Sequence, residues 1–109
     1  MTVSTHVLDA TLGTPAAGVP VGLARATVSE PGGWLAIESG VTGADGRHRF
    51  EARTEPGVYR LVFGTGGYFA ARGVTAFYPE VAITFTVAEG HYHVPLLLSP
   101  FAYSTYRGS

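Results

Sequence analysis

From residue 2 the side chains alternate in character: Val3, Thr5 and Val7 fall on one side, Ser4, His6 and Leu8 on the other. A period of two places alternate residues on opposite faces of an extended chain, so Thr2 to Leu8 is predicted to be a strand. Gly13-Thr14-Pro15 interrupts it. Val19 to Ala24 and Trp34 to Val41 are the next two strands, separated by the loop composition Ser29-Glu30-Pro31-Gly32-Gly33. Asp45-Gly46 is a hairpin signal, because the pair suits turns that match strand twist. It predicts Arg47 to Ala52 as a returning strand with Arg47 at its mouth. Glu55-Pro56-Gly57 turns the chain into Val58 to Phe63, and Tyr68 to Arg72 breaks the alternation as one short helix. Val81 to Val87, His91 to Leu98 and Phe101 to Tyr106 complete the set. The prediction is all-β: an eight-stranded, two-sheet sandwich with one short helix and no second domain or repeat.

Composition narrows this only in places. A chain of 109 residues makes one domain, long enough to bury roughly two-thirds of its unfolded surface without staples. The absence of cysteine removes disulfides and thiolate metal sites. Seven basic residues, all arginine, face eight acidic ones, so neither nucleic acid nor an anionic membrane is an expected partner. Polar Ser4, Thr5 and His6 stand where a signal peptide would need an apolar run, and no segment nears the roughly 20 apolar residues of a membrane span. The expected location is cytoplasmic.

Three features carry ionisable chemistry that a sandwich does not require. His6 lies mid-strand, Arg47 follows the Asp-Gly turn, and His91 and His93 are two apart, hence on one face. Each has an ordinary explanation: a hydrogen-bonded strand histidine, a surface cation beside a turn. His-x-His also invites zinc, but zinc needs a third protein ligand, which would have to be His6, His48 or a carboxylate. No metal and no cofactor is the expectation.

Taken together, these residues sit in longer motifs. Ser4-Thr5-His6-Val7-Leu8-Asp9 running on to Gly13-Thr14-Pro15-Ala16, then Asp45-Gly46-Arg47, then His91-Tyr92-His93-Val94-Pro95-Leu96-Leu97-Leu98-Ser99-Pro100, and finally Tyr106-Arg107-Gly108-Ser109, occur in that order. The chain resembles the transthyretin-like 5-hydroxyisourate hydrolases over essentially its whole length, with only about residues 25 to 40 carrying no motif. The resemblance implies the transthyretin-like (prealbumin-like) fold and catalysis by His6, Arg47 and His93. It also implies a pocket completed by Tyr106, Arg107, Gly108 and Ser109, with His91 outside the inherited set. His48-Arg49 is an extra polar pair after the central motif.

The implied reaction is hydrolytic opening of the six-membered ring of 5-hydroxyisourate, a product of urate oxidation in purine degradation. The residue types suit it. Histidine ionises near neutrality and serves as a base, and arginine forks onto planar oxygens and offsets developing negative charge. His6 and His93 share water activation and proton transfer, and the sequence leaves open which is the base. Gly108 is expected to permit a backbone turn, with the hydroxyls of Tyr106 and Ser109 on the substrate ring. The resemblance further implies a homotetramer, a dimer of dimers with the pockets at the subunit interface. Two rivals remain: a transthyretin-like carrier of small ligands, which is not expected to keep the histidine pair and tail, and a sandwich domain without chemistry.

Overall fold

The computed structural model describes residues 2–109. Nine strands and one helix occur among them: β1 (Thr2–Asp9), β2 (Thr14–Pro15), β3 (Pro20–Ala26), β4 (Trp34–Val41), β5 (Arg47–Arg49), β6 (Gly57–Phe63), α1 (Thr65–Ala71), β7 (Val81–Val87), β8 (His91–Leu98) and β9 (Tyr103–Thr105). One sheet runs β2-β1-β8-β9, with β5 also paired to β1; the other runs β4-β3-β6-β7. Two sheets face to face bury one side of each strand, and the alternation in β1 shows which. Val3, Thr5 and Val7 are fully buried, and Ser4, His6 and Leu8 are half-buried on the outer face. Valine, leucine and phenylalanine side chains from both sheets close the core, among them Leu23, Leu61, Phe63 and Leu96. Each contributes roughly 1.5–3 kcal/mol by leaving water. Thr5 is tolerated there because its hydroxyl donates to the Val94 carbonyl at 2.6 Å. No helix among the described residues is long and apolar enough to cross a membrane.

Among the described residues the pairing of β1 with β8 is the one parallel strand contact, and it spans the whole of both strands, from Thr2 opposite His91 to Asp9 opposite Leu98. It brings the first and last motifs side by side. Asp9, at the end of β1, is buried but satisfied: it accepts from the backbone N–H groups of Thr11 and Leu12 and from the Tyr68 hydroxyl at 2.8 Å. That last bond ties α1 to the site-bearing sheet.

Several expectations need correction. Asp45-Gly46 does form a turn, with Gly46 at φ 77°, but it joins no hairpin, since β4 and β5 belong to different sheets. The chain crosses between the sheets at Thr42, whose buried hydroxyl donates to the Ala16 carbonyl at 2.7 Å and accepts from Val19 N–H at 2.9 Å. The turn then docks on β1, where Val7 N–H donates to the Gly46 carbonyl at 2.8 Å. The returning strand also stops at Arg49 instead of Ala52, because the N–H groups of Glu51 and Ala52 donate to the Glu38 carboxylate and leave the ladder. Thr14-Pro15, expected only as a break, pairs briefly with Leu8 and Asp9 and makes the ninth strand. The helix begins three residues before the expected Tyr68, at Thr65. The last strand shortens to Tyr103–Thr105, because a turn at Ser99 to Ala102 consumes its start.

Candidate active site

The outer face of the β1–β8 sheet carries the ionisable groups. Because the Asp45-Gly46 turn lies against β1, Arg47 enters β5 directly opposite His6. On the other flank, the parallel register sets Ser4 opposite His93 and Thr2 opposite His91. A cavity of about 300 Å³ opens here, lined by Ser4, Arg47, Arg49, His91, His93 and Ser109 among others. That is the lower end of the range for small-molecule sites, roughly 300–1,000 Å³. Two guanidinium groups beside two imidazoles suit a small planar anion.

His93 is the most constrained of these groups. Its Nδ1 is 2.8 Å from the Ser4 hydroxyl, and the same hydroxyl is 2.8 Å from His91 Nε2. His91 Nδ1 in turn lies 2.6 Å from the Thr2 hydroxyl. Burial holds the His93 imidazole below the usual histidine range, and the nearby His6, Arg47 and His91 push the same way. Burial takes the charged imidazolium out of water, and the three neighbouring groups make a further positive charge harder to hold. His93 is therefore neutral at pH 7, with Nε2 not engaged by Ser4.

Other expected residues are placed differently. His6 is not among the residues that line the cavity, and its Nε2 is buried without a hydrogen-bond partner. Gly108 bridges to His93, its N–H donating to the His93 carbonyl at 2.8 Å. Its φ is not positive, so no special turn explains it. Instead, a Cβ there would lie 2.6 Å from His93 Cδ2 and 3.3 Å from Pro95 Cγ; only glycine lets the tail approach the imidazole. Ser109 reaches the cavity, but Tyr106 and Arg107 border a separate groove at the sandwich edge, where the Arg107 guanidinium stacks 4.5 Å from the Tyr92 ring centre.

Both members of the extra pair His48-Arg49 border the cavity. The His48 ring stands edge-on to Phe50 at 4.6 Å and fills the space that a side chain at Gly40 would need. Sequence reasoning missed Thr2, Ser4 and Arg49. The signal for Ser4 is its shared parity with His6, but its closeness to the histidine pair depends on a strand pairing between residues 89 apart in the chain. Among the described residues no three His, Asp or Glu side chains are grouped to hold a metal ion.

Comparison with known proteins follows the same lines. The HIUase/Transthyretin family matches residues 3–108. A 5-hydroxyisourate hydrolase of Salmonella dublin is 43% identical, over 97% of this chain and 79% of that protein. The structure of Klebsiella pneumoniae 5-hydroxyisourate hydrolase superposes with a TM-score of 0.89 at 39% identity, covering 100% of both chains. Sea bream transthyretin in complex with thyroxine also superposes with a TM-score of 0.89, at 38% identity over 97% of this chain and 93% of that one. The backbone thus fits an enzyme and a hormone-binding protein equally well, and the distinction rests on side chains. In fold, in the order of its motifs and along nearly its full length, the chain belongs to the HIUase/Transthyretin family.

Proposed function

We propose that this chain hydrolyses 5-hydroxyisourate to 2-oxo-4-hydroxy-4-carboxy-5-ureidoimidazoline. The observation that carries the reading is a partly buried His93 lining a cavity of about 300 Å³ beside Arg47. Its hydrolase relatives support the choice of substrate.

In this mechanism His93 Nε2 takes a proton from water as the water oxygen bonds to the ring carbonyl carbon. The carbonyl oxygen becomes an oxyanion, and Arg47 offsets its charge while holding the planar ring. Collapse of the tetrahedral intermediate breaks the ring C–N bond, and the leaving nitrogen takes the proton from the His93 imidazolium. His93 is assigned the base because it lines the cavity, whereas His6, half-buried opposite Arg47, does not. Arg49 adds a second cation toward an anionic substrate, Ser109 adds a hydroxyl, and Gly108 keeps the imidazole in place. Tyr106 and Arg107 belong to the site only in an assembly that brings the edge groove to it.

A homotetramer and a cytoplasmic location are parts of the same proposal. The cavity lies on an open sheet face, and cover by another subunit would exclude water and strengthen the charges within it. The test is direct: generate 5-hydroxyisourate in a cuvette from urate and urate oxidase, and follow its decay with and without the protein. Accelerated decay supports the enzyme. Saturable binding of a small aromatic ligand without turnover would support the carrier, the reading that the match to sea bream transthyretin favours.

A further inference from the structure

Ring opening to a carboxylate poses a proton problem that the catalytic pair does not solve. Water brings two protons; one ends on the leaving nitrogen, and the other must leave the site once the new carboxylic acid ionises. We propose that Ser4 and His91 form a relay that holds His93 in its Nδ1–H form and carries that second proton to solvent at Thr2. The inference rests on the hydrolysis proposed above.

The geometry is a continuous chain: Thr2 Oγ1 to His91 Nδ1 at 2.6 Å, His91 Nε2 to Ser4 Oγ at 2.8 Å, Ser4 Oγ to His93 Nδ1 at 2.8 Å. A hydroxyl has one proton to donate, and each neutral imidazole has one donor and one acceptor nitrogen. With the Ser4 proton spent inside the chain, two orientations satisfy every member. In the first, His93 Nδ1–H donates to Ser4, Ser4 O–H donates to His91 Nε2, and His91 Nδ1–H donates to Thr2. This leaves His93 Nε2 as a bare lone pair, the form a base requires. In the second, all the bonds run the other way and His93 carries its proton on Nε2.

Turnover converts the first orientation into the second. A proton arriving at His93 Nε2 displaces the Nδ1 proton to Ser4, the Ser4 proton passes to His91 Nε2, and the His91 Nδ1 proton passes to Thr2, whose own proton goes to water. Every atom keeps its valence and one proton leaves; once the product departs, His93 Nε2 gives its proton to water and Thr2 takes one from water, which runs the chain back to the first orientation with no net change in protons. The direction is downhill for charge, because His93 is half-buried while His91 is exposed. The charged and titratable groups around the His93 cavity are His6 from β1, Arg47, His48 and Arg49 from β5 and His91 from β8; of these His6, Arg47 and His91 disfavour a proton resting on His93. Ser4 and His91 act through His93 and are positioning residues.

The deciding measurement needs no substrate. In protein with ¹⁵N-labelled histidine, long-range ¹H–¹⁵N NMR at pH 8 should show His93 as the Nδ1–H tautomer. Ser4→Ala, which removes a half-buried hydroxyl and no core contact, should switch it to Nε2–H. With substrate, Ser4→Ala and His91→Gln should each lower kcat by about 10-fold to 100-fold with KM within about twofold, and Ser4→Thr should restore the rate. The solvent isotope response should pass from several protons in the native protein to one in Ser4→Ala. An Nε2–H tautomer in the native protein, or the same tautomer with and without Ser4, overturns the relay. Because the NMR result is independent of turnover, a protein without hydrolase activity would sink the proposed function and still leave the relay decided.

Discussion

Replacing Gly108 by alanine adds one methyl group at the most sensitive point of the tail. That carbon would stand 2.6 Å from His93 Cδ2 and 3.3 Å from both His93 Cγ and Pro95 Cγ. Carbon atoms pack at about 3.5–4.0 Å, so the imidazole and the new methyl must separate by about 1 Å. Strain at Gly108 itself does not contribute, since its φ is not positive. Two relaxations are open. The imidazole swings away from Ser4 and the cavity, or the tail lifts and breaks the 2.8 Å bond from Gly108 N–H to the His93 carbonyl. The first misplaces the proposed base by about 1 Å, a change worth about 10²-fold in rate. The second loses a hydrogen bond worth about 0.5–1.5 kcal/mol, or several degrees of Tm in a domain of this size, and removes Ser109 from the cavity. Steady-state decay of 5-hydroxyisourate should therefore show kcat/KM about 10²-fold lower in Gly108→Ala, while the melting temperature falls by less than about 10 °C. Native kinetics in this variant would refute the claim that the tail is packed against the base.

Other consequences concern pH, metal and assembly. His93 must be neutral to act and its pKa is held below 6.5, so kcat/KM should be flat through pH 7 and fall only on acidification below about 6.5. The same group binds its proton more weakly folded than unfolded; it therefore favours the fold above pH 6.5 and loses that contribution as pH falls below it, which acid melting curves would register. Exhaustive chelation with EDTA should leave activity intact, and loss with recovery on added zinc would overturn the metal-free mechanism. Light scattering coupled to sizing should give a mass about four times the 11.4 kDa chain, and a fully active monomer would contradict a pocket closed between subunits.

The fold is legible wherever one strand face is buried. Val3, Thr5 and Val7 against Ser4, His6 and Leu8 declare the inner and outer faces of β1, because a one-residue slip would expose three core side chains. Turn chemistry is equally local: Gly46 adopts the positive φ that Asp-Gly suggests. What the turn connects is not local. The strands on either side of Asp45-Gly46 belong to different sheets, and that choice is made by distant partners, Thr42 against Val19 and Gly46 against Val7. The site divides in the same way. His6, Arg47 and His93 stand out as chemistry on a strand face, and the structure gathers them on one sheet. Ser4 and Thr2 look like ordinary strand hydroxyls until the parallel β1–β8 register sets them against His93 and His91. His48 reads only as an extra polar residue after the central motif, yet its ring fills the space left by Gly40. Gly108 is recognisable as important, but close packing on His93, not backbone freedom, is the reason.

The central claim is that His93 and Arg47 turn a binding cavity into a hydrolytic one. The most direct measurement compares decay of freshly generated 5-hydroxyisourate in the presence of native protein, His93→Ala and Arg47→Ala, each checked for native melting behaviour. The account predicts rapid decay with the native protein and a loss of about 10²-fold or more in kcat/KM for each variant, the scale of one positioned acid–base or oxyanion-stabilising group. Near-native turnover in both variants, or decay no faster than the uncatalysed reaction with the native protein, would contradict it.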